Sequence, residues 1–307
     1  MKSSAAVLII ASLFILALGM IFNLPTTRAE TLVGTTINSD SDDDTPSKVA
    51  VSPQSDNARS TSKADETPHF WQRDRRGRFE NGGRDYCCPV AVSNSFVYLA
   101  QHGFPGLLTP GEGDQPQIDL INQLVLPGYF DTDPNTGTTP GSVLTGVQRY
   151  VENHGYHCAR LEYEGWRRVG HDNADAVKDS CPQLDWIADG IRDPHGAVWL
   201  NVGWYAQDGA GEWKRTGGHW VTVVGYGNAP HILLIHNPAL RRNNDQPDDP
   251  ARDLIRLDPL SSGTLHTGGQ STENATGLYR VSGPGLPLDR GVDAAILDAA
   301  VVFVIRP

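Results

Sequence analysis

Cysteine is scarce in this chain, with four residues in 307. That is too few for the disulfide framework that holds small secreted folds together, so each thiol needs its own explanation. Basic residues are in deficit as well. Lys and Arg number 25 against 36 Asp and Glu, a net charge of −11 at pH 7. A protein that gains affinity by neutralising phosphates needs the opposite balance, which argues against nucleic acid as a partner. Internal repeats are lacking too, and the one long apolar run lies at the N-terminus.

That run, residues 5–24 (AAVLIIASLFILALGMIFNL), carries no charge, follows Lys2 and ends shortly before Thr27-Arg28-Ala29. About 20 apolar residues sit at the border between a signal peptide and a spanning helix. Residues 1–29 therefore read as a signal peptide or membrane anchor, which makes the chain an exported one, in contact with a membrane if the segment stays uncleaved. Residues 30–67 are rich in Ser, Thr and Asp and almost devoid of large apolar residues, the composition of a disordered acidic linker. Residues 68–307 then form one folded domain, since single β-rich domains run to about 250 residues.

Within that domain the helix signals come first. Pro89, then Val92, Phe96, Leu99 and Ala100 at helical spacing, then Gly103, mark a first helix. Val143, Val147, Tyr150 and Val151, closed by Gly155, mark a second over 142–154, and 183–192 reads as a third. Later segments (197–202, 219–226, 232–237, 254–257 and 301–305) have the composition of strands, several of them buried. Helices before strands predict an α+β fold with an antiparallel sheet.

Two thiols, Cys87 and Cys88, stand immediately before the proline that opens the first helix. The unsatisfied N–H groups of a helix N-terminus stabilise a thiolate, which is the nucleophilic form; alternatively, a small, partly apolar Cys simply fills the start of a core helix. GGHWVTVVGYG (217–227) puts His219 at the head of a strong strand, and ILLIHNPA (232–239) ends the next strand at Asn237. A hairpin of the two brings Asn237 beside His219. A nucleophile at a helix start, a base at a strand start and an amide to hold the imidazole are the parts of a Cys-His-Asn site.

The ordered motifs C-C-P-V-A, G-G-H-W-V-T-V-V-G-Y and I-H-N-P resemble the papain-like cysteine peptidase superfamily, in particular its bacteriocin-leader-processing (double-glycine peptidase) branch. The stretch GSVLTGVQRYVENHGY (141–156) resembles the helix between nucleophile and base in that branch, and the likeness spans residues 81–239. The resemblance implies a papain-like fold in which the nucleophile-bearing helix packs on an antiparallel β-sheet. It also implies Cys87 as nucleophile, His219 as base, Asn237 as orienting residue and a peptide or protein substrate, with no cofactor and no metal. The oxyanion-hole Gln of the family, six residues before the nucleophile, is matched by Asn81. Three positions depart from the pattern: Cys88 replaces a Gly, Asn81 is one methylene shorter than Gln, and Asn237 stands where that branch has Asp. Cys87 keeps the spacing to both Asn81 and Pro89; Cys88, the alternative nucleophile, keeps neither.

The remaining features carry less chemistry. In an oxidising compartment Cys158 and Cys181 either pair or stay as two buried thiols. His154, His157 and Cys158 lack a fourth metal ligand at a recognised spacing. Asp131, Asp133 and Asn135 begin like a calcium loop, but Thr136 takes the required Gly position and Ser142 that of the bidentate Glu, so a turn is expected. Trp166 with Arg167 and Arg168, or Trp199 and Trp204, line a peptide groove or fill the core. With no transporter segments following, the expected protein is an exported thiol peptidase rather than a fused export machine. The rivals are a catalytically drifted binding domain of the same fold, or a thiol acyl transferase or cell-wall amidase.

Overall fold

The computed structural model describes residues 61–208, 211–227, 229, 231–240, 250–267, 272–289 and 291–307. The N-terminal apolar run, the linker up to residue 60 and the acidic run 243–249 lie outside the described residues. In chain order the elements are β1 (Thr61–Ser62), α1 (Cys87–Gln101), α2 (Gln115–Leu124), α3 (Pro140–Asn153), β2 (His157–Gly165), β3 (Val177–Asp179), α4 (Leu184–Arg192), β4 (Gly196–Gln207), β5 (Glu212–Tyr226), β6 (Ile232–His236), β7 (Leu254–Pro259), β8 (Thr264–His266), β9 (Thr272–Asn274), β10 (Tyr279–Ser282) and β11 (Ala294–Arg306). Among the described residues no helix is long and apolar enough to cross a membrane.

The architecture is α+β, with N-terminal helices packed against one mostly antiparallel sheet of eleven strands. Only β2 with β3 and β5 with β8 pair in parallel. Six strands close on themselves in the order β4, β5, β6, β7, β10, β11 and back to β4, every pair antiparallel. Closure follows from length: β11 pairs β4 from Ala294 to Val304 on one side and β10 then β2 on the other, so no long apolar edge is left bare.

Strand alternation sorts the side chains into two cores. Val198, Leu200 and Val202 of β4, Val221 and Val223 of β5 and Ala300 and Val302 of β11 fill the ring, together with Ile187 and Ile191 of α4. Their neighbours Ala197, Trp199, Trp220, Val301 and Phe303 face the other way, onto α1 and α3. α1 is enclosed, with every residue from Cys87 to Phe96 buried. Its buried polar side chains find partners, Asn94 Nδ2 excepted. Ser93 Oγ donates to Val90 O, Asn94 Oδ1 accepts from Phe70 N and Gln117 Nε2, and Ser95 Oγ accepts from Trp199 Nε1.

One expectation changes and one open question takes a side. The folded part starts earlier than composition suggests: β1 pairs with β5 at Tyr226 and Gly225. Lys63 Nζ donates to Asp193 O and Gly196 O at 2.7 Å each, and lies 5.0 Å over the Tyr98 ring. Burial holds the Lys63 pKa down at about 8. A polar segment is thus fastened by one snorkelling side chain that composition cannot register. Second, Cys158 and Cys181 are free thiols. Cys158 packs on the helix-side core, whereas Cys181 joins a separate cluster and donates to Gly277 O.

Candidate active site

The loop leading into α1 is fixed by a close backbone approach. Gly83 has φ +71°, and a Cβ there would collide with Gln72 O; Gln72 Nε2 in turn donates to Gly83 O and Arg84 O. Only glycine meets both demands. α1 opens at Cys87 with no side-chain cap on its first turn, so N–H groups remain available beside the thiol. One turn on, Ala91 O accepts from Thr222 Oγ1 at 2.7 Å, which locks the register between α1 and the strand that carries His219.

His219 Nε2 lies 2.6 Å from Asn237 Oδ1, and both residues are buried. The orientation of the amide follows from its other partners. Asn237 Nδ2 donates to Gly285 O at 2.8 Å, and Ala239 N donates to Oδ1 at 2.9 Å. Oδ1 therefore faces His219, and Nε2 must carry the proton. Nδ1 keeps its lone pair, the state required of a base. The Trp204 ring stacks on the imidazole at 6.2 Å.

Cys87 meets the backbone N–H of Trp220, the residue after His219. Among the described residues no hydrogen bond joins Cys87 Sγ to His219. Burial pushes the Cys87 thiol up to about 11 despite the N–H groups of Trp220 and of α1, and Asp85 pushes the same way. Burial also lowers the His219 pKa, against the opposing bond from Asn237. The helix-terminus effect expected from sequence is present but outweighed, because desolvation of a buried ion exceeds what a few dipoles return. Both shifts favour the neutral form of the group concerned. Cys88 is fully buried in the helix-side core, with its pKa raised further and Thr138 as its hydrogen-bond partner.

Asn81 stands apart from the thiol. It is exposed, adopts φ +50°, and its Nδ2 donates to Pro134 O at 3.1 Å. That contact ties it to the 131–137 turn, where Asp133 Oδ1 accepts from Asn135 N and Thr136 N. The calcium-like run is thus a turn, as expected, and it walls one side of a cleft of about 110 Å³ that exposes Cys87.

The opposite side of this cleft holds residues whose role the sequence reading missed. Asn201, Arg215 and Gly218 line it together with Arg167, and behind them lies the wholly buried Asp298. Asp298 accepts from Arg215 Nε at 2.7 Å, Trp166 Nε1 at 3.0 Å and Tyr205 OH at 2.5 Å, with Arg167 at 3.8 Å. A Cβ at Gly218 would displace the Arg215 guanidinium from its present position. The signals were a lone acid inside the apolar run AAILDAAVVFVI and a lone amide inside AVWLNV. Trp166 and Trp199 are buried, while Arg167 reaches the cleft.

Among the described residues one group, His69, His236 and Asp253, clusters closely enough to consider a metal. His69 Nε2 faces Asn237 O and His236 Nδ1 faces Pro68 O. The rings, however, stack at 4.6 Å and 9°. A bound ion lies in the plane of each imidazole that ligates it, and two parallel stacked planes share no such point. The pair fits a stacked support under Asn237 better than a metal centre. His154 is occupied otherwise, with Nδ1 on Tyr150 O.

Comparison with protein-family models and with curated proteins gives no match to this chain.

Proposed function

We propose that the protein is an exported, papain-like cysteine peptidase that cleaves peptide bonds through Cys87, His219 and Asn237. The observation that carries this reading is the 2.6 Å contact from His219 Nε2 to Asn237 Oδ1, because it fixes the tautomer a thiol peptidase requires next to a thiol at a helix start. His219 Nδ1 takes the Cys87 proton, and the thiolate attacks the peptide carbonyl. The imidazolium protonates the departing amine to leave a thioester. A water deprotonated by Nδ1 then hydrolyses the thioester and restores the thiol. N–H groups of the first turn of α1 are the donors nearest the developing oxyanion; Asn81 joins them only if it leaves Pro134. The apolar N-terminal run supports an extracytoplasmic setting.

One observation favours a second reading: among the described residues no hydrogen bond links Cys87 Sγ to His219, which suits a drifted binding domain. Digestion of fluorescent casein, followed by electrophile labelling and peptide mapping, separates the two. Peptidase function requires turnover that Cys87→Ala abolishes and a label on Cys87. Labelling confined to Cys88, or no turnover, refutes it.

A further inference from the structure

Arg167 is anomalous. Its guanidinium side chain is only 25 % exposed, yet it makes no hydrogen bond among the described residues; its nearest carboxylate, Asp298, is 3.8 Å away. Five donors in a largely dehydrated position call for an acceptor. Asp298 is already taken up by Arg215, Trp166 and Tyr205. Two guanidiniums thus share one carboxylate, and burial together with the like charge of Arg215 lowers the Arg167 pKa. Beside them Asn201 is 4 % exposed and its buried Oδ1 has no hydrogen-bond partner. All three line the cleft that exposes Cys87. The other acid there, Asp85, lies near enough to the thiol to raise its pKa, so the cleft has an acidic side at the nucleophile and a basic side along Arg167 and Arg215.

We propose that this cleft is a specificity pocket for substrates bearing a carboxylate close to the scissile bond, with Arg167 and Arg215 receiving the carboxylate and Asn201 accepting an N–H of the same substrate. An acidic side chain of a peptide or its terminal carboxylate supplies that chemistry. The proposal rests on Cys87 being the nucleophile, and the test keeps the two apart.

The full chain is treated with N-bromoacetyl-glutamate α-amide and with its glutamine counterpart, which differ by one carboxylate. In each case Cys87 sulfur bonds the CH₂ carbon, bromide leaves, and the thiol proton passes to solvent. The intrinsic reactivity of the thiol cancels in the ratio of the two rates. A charge-assisted bond predicts at least a 10-fold preference for the glutamate probe, falling towards unity in Arg167→Gln and partly retained in Arg167→Lys. The same glutamate amide without bromine should protect Cys87 more strongly than the glutamine amide. Equal rates in the wild-type protein, with the label mapped to Cys87, overturn the pocket and leave the nucleophile standing. Labelling that never reaches Cys87 with either probe overturns both. The wild-type ratio decides even where Arg167→Gln fails to fold.

Discussion

Asn237→Asp is the sharpest probe of the site because, at almost unchanged shape, it replaces one donor with an acceptor and a neutral amide with an ionisable carboxyl. In the wild-type protein Nδ2 sits 2.8 Å from Gly285 O. A carboxylate oxygen in its place opposes a carbonyl oxygen at the same distance, in a position 2 % exposed to solvent. Losing the donor leaves Gly285 O unsatisfied at about 1–3 kcal/mol, and a poorly compensated buried charge costs about 3–5 kcal/mol. The site escapes by binding a proton, either on the carboxyl, which then donates to Gly285 O, or on His219, which then pairs with the carboxylate. In both cases the folded variant holds a proton that the unfolded Asp, with its pKa near 3.9, has released. The folded-state pKa of the pair is thus raised, so the penalty is smallest near pH 5 and grows as pH rises through that pKa. Urea unfolding of wild type and variant at pH 5 and pH 8 measures this. A loss of about 3 kcal/mol or more at pH 8, reduced at pH 5, is expected. Equal stability at pH 8, or a deficit independent of pH, would refute the assigned orientation of Asn237 and with it the tautomer of His219.

The other predictions concern the groups around this contact. Asp298→Asn strands Arg215 without its carboxylate and should cost about 3–5 kcal/mol, whereas Arg167→Gln should cost under about 1 kcal/mol because Asp298 keeps its three hydrogen bonds; urea midpoints that reverse this order would sink the network. A chain beginning at Pro68 loses β1 and both Lys63 bonds and should be about 2–4 kcal/mol less stable than one beginning at Pro53, which calorimetry reads directly. His219 has a lowered pKa in the folded state, so its contribution is complete above about pH 6.5 and is lost as pH falls through the folded value; a stability profile flat from pH 7 to 5 after Cys87→Ala and unchanged by His219→Gln would contradict this. With the thiol at about 11, alkylation of Cys87 by iodoacetamide should climb steadily from pH 7 to 10, and a plateau at acidic pH would show a resting ion pair instead.

Much of this was legible in the chain because the relevant rules are local. Pro89 and the Val92, Phe96, Leu99 spacing mark α1, and the β5–β6 hairpin brings Asn237 to His219 because turn and register are short-range matters. What stayed hidden depends on distant partners. α2 was missed because its buried Gln117 reads as a surface residue until its bonds to Ser93 and Asn94 are known. Closure of the ring needs β10, a four-residue strand with little periodicity of its own. Asn81 matched a spacing, yet its donor is captured by Pro134, 53 positions later. The balance of effects on Cys87 stayed open for a related reason: helix-terminus dipoles are local and visible, whereas burial comes from the whole fold.

The protonation preferences of the site and the charged cleft bear on each other. Moving a proton from a thiol near 11 to an imidazole below 6.5 costs more than about 6 kcal/mol when the two groups do not interact. Their attraction as an ion pair at about 4 Å returns about 4 kcal/mol at the effective dielectric of such sites, the N–H groups of α1 being already reflected in the Cys87 value. The sum approaches balance only when Nδ1 and Sγ are in contact. Contact between Cys87 Sγ and His219 Nδ1 is therefore what separates an inert thiol from a nucleophile. A ligand whose carboxylate engages Arg167 and Arg215 while its carbonyl reaches Cys87 would bridge α1 and β5, because Arg215 and His219 belong to the same strand and α1 carries the thiol. On the proposed reading substrate binding and thiol activation are one event, and a substrate without the carboxylate should lose turnover rate as well as affinity.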